Sequence, residues 1–240
     1  MTLRLERVAL PEVPWGQLDH LPGRVVTQTR PWLDFLVETQ GIVPVAAQVL
    51  DGAEPVGWFT GGVVRRGGLR FLGSPLRGWT TAAMGSTLEE GVDPALVLAA
   101  LPRFAFAELG CIHLECADRS LLDATRVPTG FHVTTLPGYE LELAIDGEPR
   151  SDADLLAAMT PHGRRDVRRS LRNGIVVEAV DPLDPGDFAS VYYQQVSEAF
   201  ARRSRRPTYP VERVEALIRH LGPTGDLLLL RSRTPAGEVA

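Results

Sequence analysis

The chain has 240 residues, 44% of them hydrophobic and 23% charged, and a net charge of −5. This composition is typical of a globular protein with one large domain or two smaller ones. No apolar run reaches the roughly 18 residues of a membrane span, and the first residues lack the apolar core of a secretory signal. All 25 basic residues are arginine, which excludes a Schiff-base lysine, a P-loop lysine and a Ser–Lys dyad within the chain.

The charge is unevenly distributed along the chain. Residues 1–160 hold 12 arginines and 20 acidic residues, whereas residues 161–240 hold 13 arginines and 10 acidic residues. This change of sign near residues 150–160 indicates a boundary in organisation. The polar, turn-rich stretch "DGEPRSDAD" (146–154) overlaps this position, so we predict a first domain over 1–148 and a second over 149–240.

The first part of the chain reads as a helix followed by an antiparallel meander. Thr29 as N-cap, Pro31 in the first turn and Gly41 at the end predict a helix over "RPWLDFLVETQ". The segments "IVPVAAQVL", "PVGWFTGGVVRR" and "GGLRFLGSP" then predict three strands separated by turn residues. The stretch "SPLRGWTTAAMGS" is predicted to be a loop, although it carries large apolar residues.

The middle of the chain continues with one helix and further strands. Asp93 as cap predicts a helix over "PALVLAALPRFAFAELG", which Pro102 kinks or splits. A strand follows at "CIHLECA", and "FHVTTLPGYELELAI" predicts one or two more. Alternation along "CIHLECA" places Cys111 and His113 on one face with Glu115, which gives a weak metal-site hypothesis; an ordinary buried strand is the favoured interpretation. Two unpaired cysteines suit the cytoplasm.

The last part of the chain alternates helices and strands. We predict helices at "DADLLAAM", at the basic stretch from residue 161, over about 185–204 and near 210–221, with strands at "GIVVEAV" and "DLLLLRSR". The final "TPAG" predicts a hairpin turn with a returning strand. Because one arm of that hairpin is short, we expect the 240 residues to belong to a longer protein.

The stretch "TPHGRRDVRRSLRNG" carries five arginines in an acidic chain. Thr160 and Gly174 are suited to begin and end a helix, and Val167 and Leu171 form an apolar seam that we expect to pack. The arginines fall in one arc beside that seam: Arg164, Arg165, Arg168, Arg169 and Arg172. The helix is either a solvated amphipathic helix or an anion site for phosphate or carboxylate, for which the planar guanidinium is suited. Further arginines follow in "ARRSRRPTY".

Two segments together resemble a known family. The stretch "RRGGLRFLGSPLRGWTTAAMG" (65–85), followed in the second half by "RRDVRRSLRNGIVVE" (164–178), resembles the FemAB-like branch of the GNAT acyltransferases. The helix "DFASVYYQQVSEAFARRSRRPTYP" (187–210) is similar to the segment that follows in that family. The resemblance implies an α/β (α+β layered) fold of two GNAT-like domains, each a mixed, mostly antiparallel sheet with flanking helices, with the second domain truncated here.

The resemblance also implies an activity. It implies transfer of an acyl or aminoacyl group from acyl-CoA or aminoacyl-tRNA to an amine or hydroxyl of a cell-envelope precursor, of peptidoglycan or saccharide type, in the cytoplasm. No cofactor is implied beyond these co-substrates. The Arg/Gln-x-x-Gly-x-Gly/Ala turn with which GNAT enzymes hold the CoA pyrophosphate does not occur in the 240 residues, so the choice of donor stays open.

Several residues are candidates for binding the substrates. Arg77 and Trp79 in the predicted loop are suited to hold a phosphate and a sugar or base, although Trp79 is as well suited to pack under the loop. Arg164 and Arg168 are the candidates on the basic helix. The family pattern adds three more residues, with the expectation that one tyrosine of the pair 192–193 faces inward: Tyr193, Arg203 and Tyr209.

No catalytic residue follows from the sequence. Direct acyl transfer needs no covalent nucleophile, and the chain contains no Gly-x-Ser-x-Gly, HExxH or GxGxxG motif. Two other functions stay open. One is a catalytically inactive GNAT-like scaffold. The other is a tRNA-binding module that uses the arginine clusters, although the net charge of −5 and the lack of interleaved aromatic residues disfavour it. No partner DNA and no metal are expected.

Overall fold

The computed structural model describes residues 2–21, 23–121, 123–135, 138 and 141–239. It confirms the expected α/β fold with a mostly antiparallel sheet and flanking helices. The main sheet contains six strands: Leu3–Val8 (β1), Val43–Asp51 (β2), Glu54–Arg66 (β3), Leu69–Ser74 (β4), Ser86–Leu88 (β5) and His113–Cys116 (β6). Their order is β1-β2-β3-β4-β6, with β5 paired to β3. Among the described strand pairs of this sheet, β4 and β6 are parallel and the others are antiparallel.

Four short strands and seven helices complete the described part of the chain. The remaining strands are Ala144–Ile145 (β7), Glu148–Pro149 (β8), Val176–Val180 (β9) and Leu229–Arg233 (β10). The helices are Trp15–Leu18 (α1), Arg30–Gln40 (α2), Pro94–Pro102 (α3), Asp152–Ala158 (α4), Pro161–Arg172 (α5), Phe188–Ala201 (α6) and Val211–Leu221 (α7).

The main sheet is covered on both faces. Along β2, Val45 and Val49 belong to a core cluster with Leu101 and Phe104, from α3 and the turn that follows it. Ala46 points to the other face and packs with Leu18 of α1. Because both faces are buried, β2 and β3 read as nearly continuous apolar runs rather than as alternating ones.

Local signals set several helix ends as expected, although the Thr29 side chain does not cap α2 and donates instead to the Val26 carbonyl at 2.7 Å. Gly41 ends α2 in the left-handed conformation (φ 63°), which a residue without a side chain adopts at little cost. The Asp93 carboxylate accepts a hydrogen bond from the Ala95 backbone N–H at 2.9 Å and caps α3. Pro102 lacks an N–H, and beyond it the helix widens into a π-helical turn over Arg103–Glu108, which confirms the predicted interruption.

The second part of the chain packs against the first through α7. Ala216 of α7 is fully buried in a cluster with Leu33 and Leu36 of α2. At the edge of this contact, His220 Nε2 lies 2.8 Å from a carboxylate oxygen of Glu38. The strands β9 and β10 form a separate antiparallel pair. The proposed division at 148/149 stays a prediction.

Three expectations were wrong. The apolar seam of the basic helix does not pack, because Val167 is 36% and Leu171 68% exposed and no residue of α5 is buried. The strand β6 begins only at His113. Cys111 therefore precedes β6 and is buried in the core, whereas His113 is exposed and contacts Glu115 at 3.1 Å.

The third wrong expectation concerns "FHVTTLPGYELELAI". Residues 131–135 form no strand, and regular pairing is limited to the two-residue strand β7. Residues 136, 137, 139 and 140 lie outside the described part of the chain. Most of the described apolar side chains of this stretch are exposed, with Leu143 at 65%, so no core selects an extended strand there. The final turn is a hairpin, in which the Thr234 N–H donates to the Glu238 carbonyl at 2.9 Å.

Candidate functional site

Two concave surfaces bring candidate residues together. The first, which we call the arginine depression, lies on α5, has a volume of about 390 Å³ and is lined by Pro161, Arg164, Arg165, Arg168 and Arg172. The second, which we call the aromatic pocket, has a volume of about 410 Å³ and lies between α2, α6, α7 and β10. The depression is cationic, whereas the pocket is mostly apolar.

The geometry of α5 builds the arginine depression. The Thr160 hydroxyl caps the helix by accepting a hydrogen bond from the Gly163 N–H at 3.2 Å, and Gly174 follows it with φ 68°. Arg164, Arg168 and Arg172 are spaced four residues apart, and Arg165 is adjacent to Arg164. In an α-helix this spacing places the four side chains along one side. Five arginines thus stand on one short, exposed helix, and the seam beside them is open to solvent.

The lining arginines differ in what they bind within the protein. Arg164 is tied down, since its Nη1 donates to the carbonyls of Ala157 and Met159 at 2.8 and 2.7 Å. Arg165 contacts the Nδ1 of His162 at 2.5 Å. Arg168 and Arg172 have no hydrogen-bond or ion-pair partner among the described residues. Two guanidinium groups of the depression therefore keep their donors for a ligand.

The aromatic pocket is built where the two parts of the chain meet. α2 contributes Trp32 and Phe35, and α6 contributes Phe188 and Tyr192. Tyr209, Arg213 of α7 and the stretch 228–230 at the start of β10 complete most of the wall. Phe188 and Tyr192 are stacked, with ring planes 6° apart. The packing of α7 on α2 thus creates a cavity to which both parts of the chain contribute side chains.

The polar groups of the pocket are few. The hydroxyls of Tyr192 and Tyr209 lie 3.4 Å apart, and the Tyr193 hydroxyl donates to the Tyr209 carbonyl at 2.8 Å. Burial, followed by the contact with Tyr192, raises the pKa of Tyr209 to about 12. Tyr209 is therefore protonated at neutral pH and is available as a hydrogen-bond donor, not as a base.

Arg213 is the one charged residue in the wall of the pocket, among the residues that the structure describes. It is 8% exposed, its guanidinium lies 5.0 Å from the centre of the Phe35 ring, and its Nη2 donates to the Trp79 carbonyl. No described carboxylate pairs with it. Burial lowers the pKa of this guanidinium, and Tyr209 opposes the change.

The structure separates the sequence candidates into four groups. Arg164 and Arg168 lie together in the depression, and Tyr209 lies in the pocket with Tyr193 directly behind it. Trp79 is 2% exposed and packs under its loop, so its ring offers no surface to a ligand.

Arg77 and Arg203 line neither surface. The Arg77 side chain is exposed, and its backbone N–H donates to Glu115 at 2.6 Å. This hydrogen bond and the one from His113 lower the pKa of Glu115, against the effect of burial. Arg203 is exposed at the end of α6.

Sequence reasoning missed most of the pocket wall, including Trp32, Phe35, Phe188 and Arg213. The aromatic ones look like ordinary core residues of amphipathic helices. Arg213 could have been identified from the sequence. It precedes Leu217 by four residues and Leu221 by eight, so it lies in the apolar stripe of α7. A charged residue in such a stripe is unusual and needs a partner or a ligand.

The described residues hold no group of three or more histidine, cysteine, aspartate or glutamate side chains placed to bind a metal ion. The same part of the chain has no helix with the length and apolar character needed to cross a membrane. Burial raises the pKa values of both thiols, Cys111 and Cys116, so neither is activated as a nucleophile.

No protein-family model matches the sequence, and no curated protein matches it. Among solved structures, the chain is similar to the crystal structure of FemX, with a TM-score of 0.61 and 14% sequence identity. The match covers 95% of this chain and 58% of the FemX chain. The chain therefore has a FemX-like fold and spans somewhat more than half the length of that protein.

Proposed function

We propose that this chain acts in an acyl or aminoacyl transferase of the FemAB-like kind. In this proposal the arginine depression binds phosphate of the donor, which is acyl-CoA or aminoacyl-tRNA. The acceptor is an amine or hydroxyl of a cell-envelope precursor, of peptidoglycan or saccharide type. The fold likeness to FemX supports this choice of family. The observation that carries the proposal is that two guanidinium groups in the depression, those of Arg168 and Arg172, have no partner among the described residues.

Phosphate is the ligand that suits the depression. Four guanidinium groups line it, and the only carboxylate on α5, Asp166, is engaged by His162 at 3.2 Å and by Arg165 at 3.7 Å. Arginine binds phosphate oxygens in pairs through its planar fork. Both donor classes carry phosphates and are found in the cytoplasm, where we place the reaction.

The proposed reaction is direct. The acceptor nitrogen or oxygen attacks the carbonyl carbon of the thioester or ester, a new amide or ester bond forms, and the bond to the CoA sulfur or the tRNA oxygen breaks. The proton lost by the acceptor ends on the leaving group. The raised pKa values of Cys111 and Cys116 support a route without a covalent thiol intermediate. We assign no general base.

Calorimetric titration of the full chain tests the proposal. The titrants are acetyl-CoA, a long-chain acyl-CoA and charged tRNA, each at two salt concentrations. The test variant is Arg168→Gln/Arg172→Gln. The matched control is Arg65→Gln/Arg66→Gln, which removes the same charge from two exposed arginines outside the depression.

The expected result is saturable binding of one donor class. The test variant should bind that donor about 10- to 100-fold more weakly, from roughly 1 kcal/mol for each exposed contact, and the control should bind as the wild type does. For tRNA, the slope of log affinity against log salt should also become shallower by about one per arginine removed. Binding of a CoA thioester alone selects an acyltransferase, and binding of charged tRNA alone selects an aminoacyl transferase.

Two results would contradict the proposal. Failure of every donor to bind would favour a scaffold without catalysis. Equal binding of charged and uncharged tRNA, with no transfer to any acceptor, would favour a tRNA-binding module.

A further inference from the structure

The aromatic pocket is a candidate ligand site in its own right. Its volume of about 410 Å³ falls in the range of about 300 to 1,000 Å³ that small-molecule pockets occupy. Such pockets combine apolar walls with a few placed polar groups. This one has aromatic and aliphatic walls from α2, α6, α7 and β10, with two phenols and one guanidinium among them.

Arg213 is the feature that the fold alone does not explain. The residue is only 8% exposed, yet no described carboxylate pairs with it. The Phe35 ring and the Trp79 carbonyl are its neighbours, and together they satisfy one donor and part of the charge. Buried charges in proteins are otherwise paired, because transfer of an unpaired ion from water is costly.

We propose that the aromatic pocket binds a ligand that has an apolar body and a single carboxylate, and that Arg213 pairs with this carboxylate. This site is separate from the arginine depression, and the proposal does not depend on the function proposed for the depression. The apolar body lies against Trp32, Phe188 and Leu229. The guanidinium donates to the carboxylate, and the hydroxyls of Tyr192 and Tyr209 are further donors on the wall. The Thr80 hydroxyl and the Trp32 indole N–H, which also belong to wall residues, already donate to neighbouring protein oxygens.

A carboxylate suits the pocket better than a phosphate. The wall holds one cation among the described residues, so a monoanion balances its charge. A phosphate dianion would leave one negative charge unpaired among apolar side chains, with the desolvation cost that this carries. The apolar walls equally disfavour a sugar, whose hydroxyls would find few partners.

The pocket is suited to bind rather than to react. Its described wall contains no carboxylate, imidazole or thiol. Tyr209 stays protonated at neutral pH because its pKa is raised to about 12. The carboxylate ligand is therefore held by the pocket without proton transfer.

Three probes of equal chain length test the proposal by calorimetry on the full chain: octanoate, octanamide and octyl phosphate. Octanoate should bind about 10- to 100-fold more tightly than octanamide, as expected for hydrogen bonds to a charged group. In Arg213→Gln this preference should disappear, while octanamide binds as before. Equal binding of octanoate and octanamide to the wild type would overturn the proposal, and tighter binding of octyl phosphate would overturn the choice of carboxylate.

A second variant locates the site without touching Arg213, whose replacement also removes a contact with the Trp79 carbonyl. Leu228 lines the pocket and is 70% exposed, so Leu228→Trp should fill the mouth of the pocket without unfolding the protein. Leu183→Trp is the matched control, at a leucine that is 71% exposed and outside the pocket wall. Octanoate binding should be lost only in Leu228→Trp, and retention there would overturn the location.

The arginine depression provides the last control. The variant Arg168→Gln/Arg172→Gln should bind octanoate as the wild type does. Loss of octanoate binding in that variant would place the carboxylate in the depression and overturn the proposal for the pocket, whatever the donor titrations show.

Discussion

The replacement Trp79→Ala decides whether this tryptophan is a core residue or a ligand platform. Trp79 is 2% exposed and packs in one cluster with Leu36 and Met84. A buried aromatic side chain removes about 150–250 Å² from water, which at about 25 cal/mol per Å² corresponds to roughly 4–6 kcal/mol. Residual burial in the unfolded chain lowers this figure, so we expect a loss of about 3–5 kcal/mol in the free energy of unfolding.

Urea unfolding followed by far-UV circular dichroism measures this loss. The midpoint should fall in Trp79→Ala while the slope with denaturant stays constant. Trp32→Ala is the comparison, because Trp32 is only partly buried and lines the aromatic pocket, and its replacement should cost less. A loss below about 1 kcal/mol in Trp79→Ala would refute the assignment of Trp79 to the core, since substitutions at ordinary surface positions change stability by only about 0.5 kcal/mol.

Three further predictions follow from burial, pKa and close packing. Burial raises the pKa values of Cys111 and Cys116, so a thiol reagent at pH 8 should modify them slowly in the native protein and fast in denaturant; fast native labelling would contradict this. The histidine of α7 lowers the pKa of Glu38 below the usual 4.5. The ionised Glu38 carboxylate stabilises the folded state fully above pH 4.5. This stabilisation is lost as the pH falls through the lowered pKa of Glu38, because the carboxylate is then protonated. Glu38→Gln should therefore destabilise the protein at pH 7, and its effect on unfolding in urea should shrink as the pH is lowered below 4.5 through the lowered pKa; an effect that stays constant with pH would refute the pairing. A Cβ on Gly73 would lie 2.5 Å from the backbone nitrogen of Leu76, so Gly73→Ala should lower the free energy of unfolding by about 1–3 kcal/mol, measured by urea unfolding. Gly16→Ala, with open space around it, should not.

The sequence predicted most of the elements because their ends depend on neighbouring residues. Asp93 caps α3 and Pro102 interrupts it, each through contacts within a few residues. Gly41 ends α2 through its own backbone conformation. Capping residues, prolines and glycines act on neighbouring residues, so their effects can be predicted without knowledge of the fold. The basic helix α5 was predicted in the same way, from the capping residue Thr160 at its start and from Gly174 beyond its end.

Side-chain surroundings could not be predicted in this way. Val167 and Leu171 of α5 are four residues apart, which is also the spacing of apolar residues in helices that pack on a core, yet Leu171 is exposed. Whether it packs depends on elements distant in the chain. For the same reason, the sequence left two environments open for Trp79, and the structure places it in the core.

The two candidate sites show the same division. The arginine depression lies within one helix, and its cationic arc followed from the spacing of residues 164–172 and the period of the α-helix. The aromatic pocket joins α2 with α6, α7 and β10, which are more than 140 residues apart in sequence. Only the packing of α7 on α2 brings Arg213 over the ring of Phe35 and leaves a cavity there. The sequence by itself therefore determined several element ends and the charged helix, because capping, turn conformation and helical period are local. The tertiary structure decided which residues share a pocket, because burial depends on contacts between distant segments.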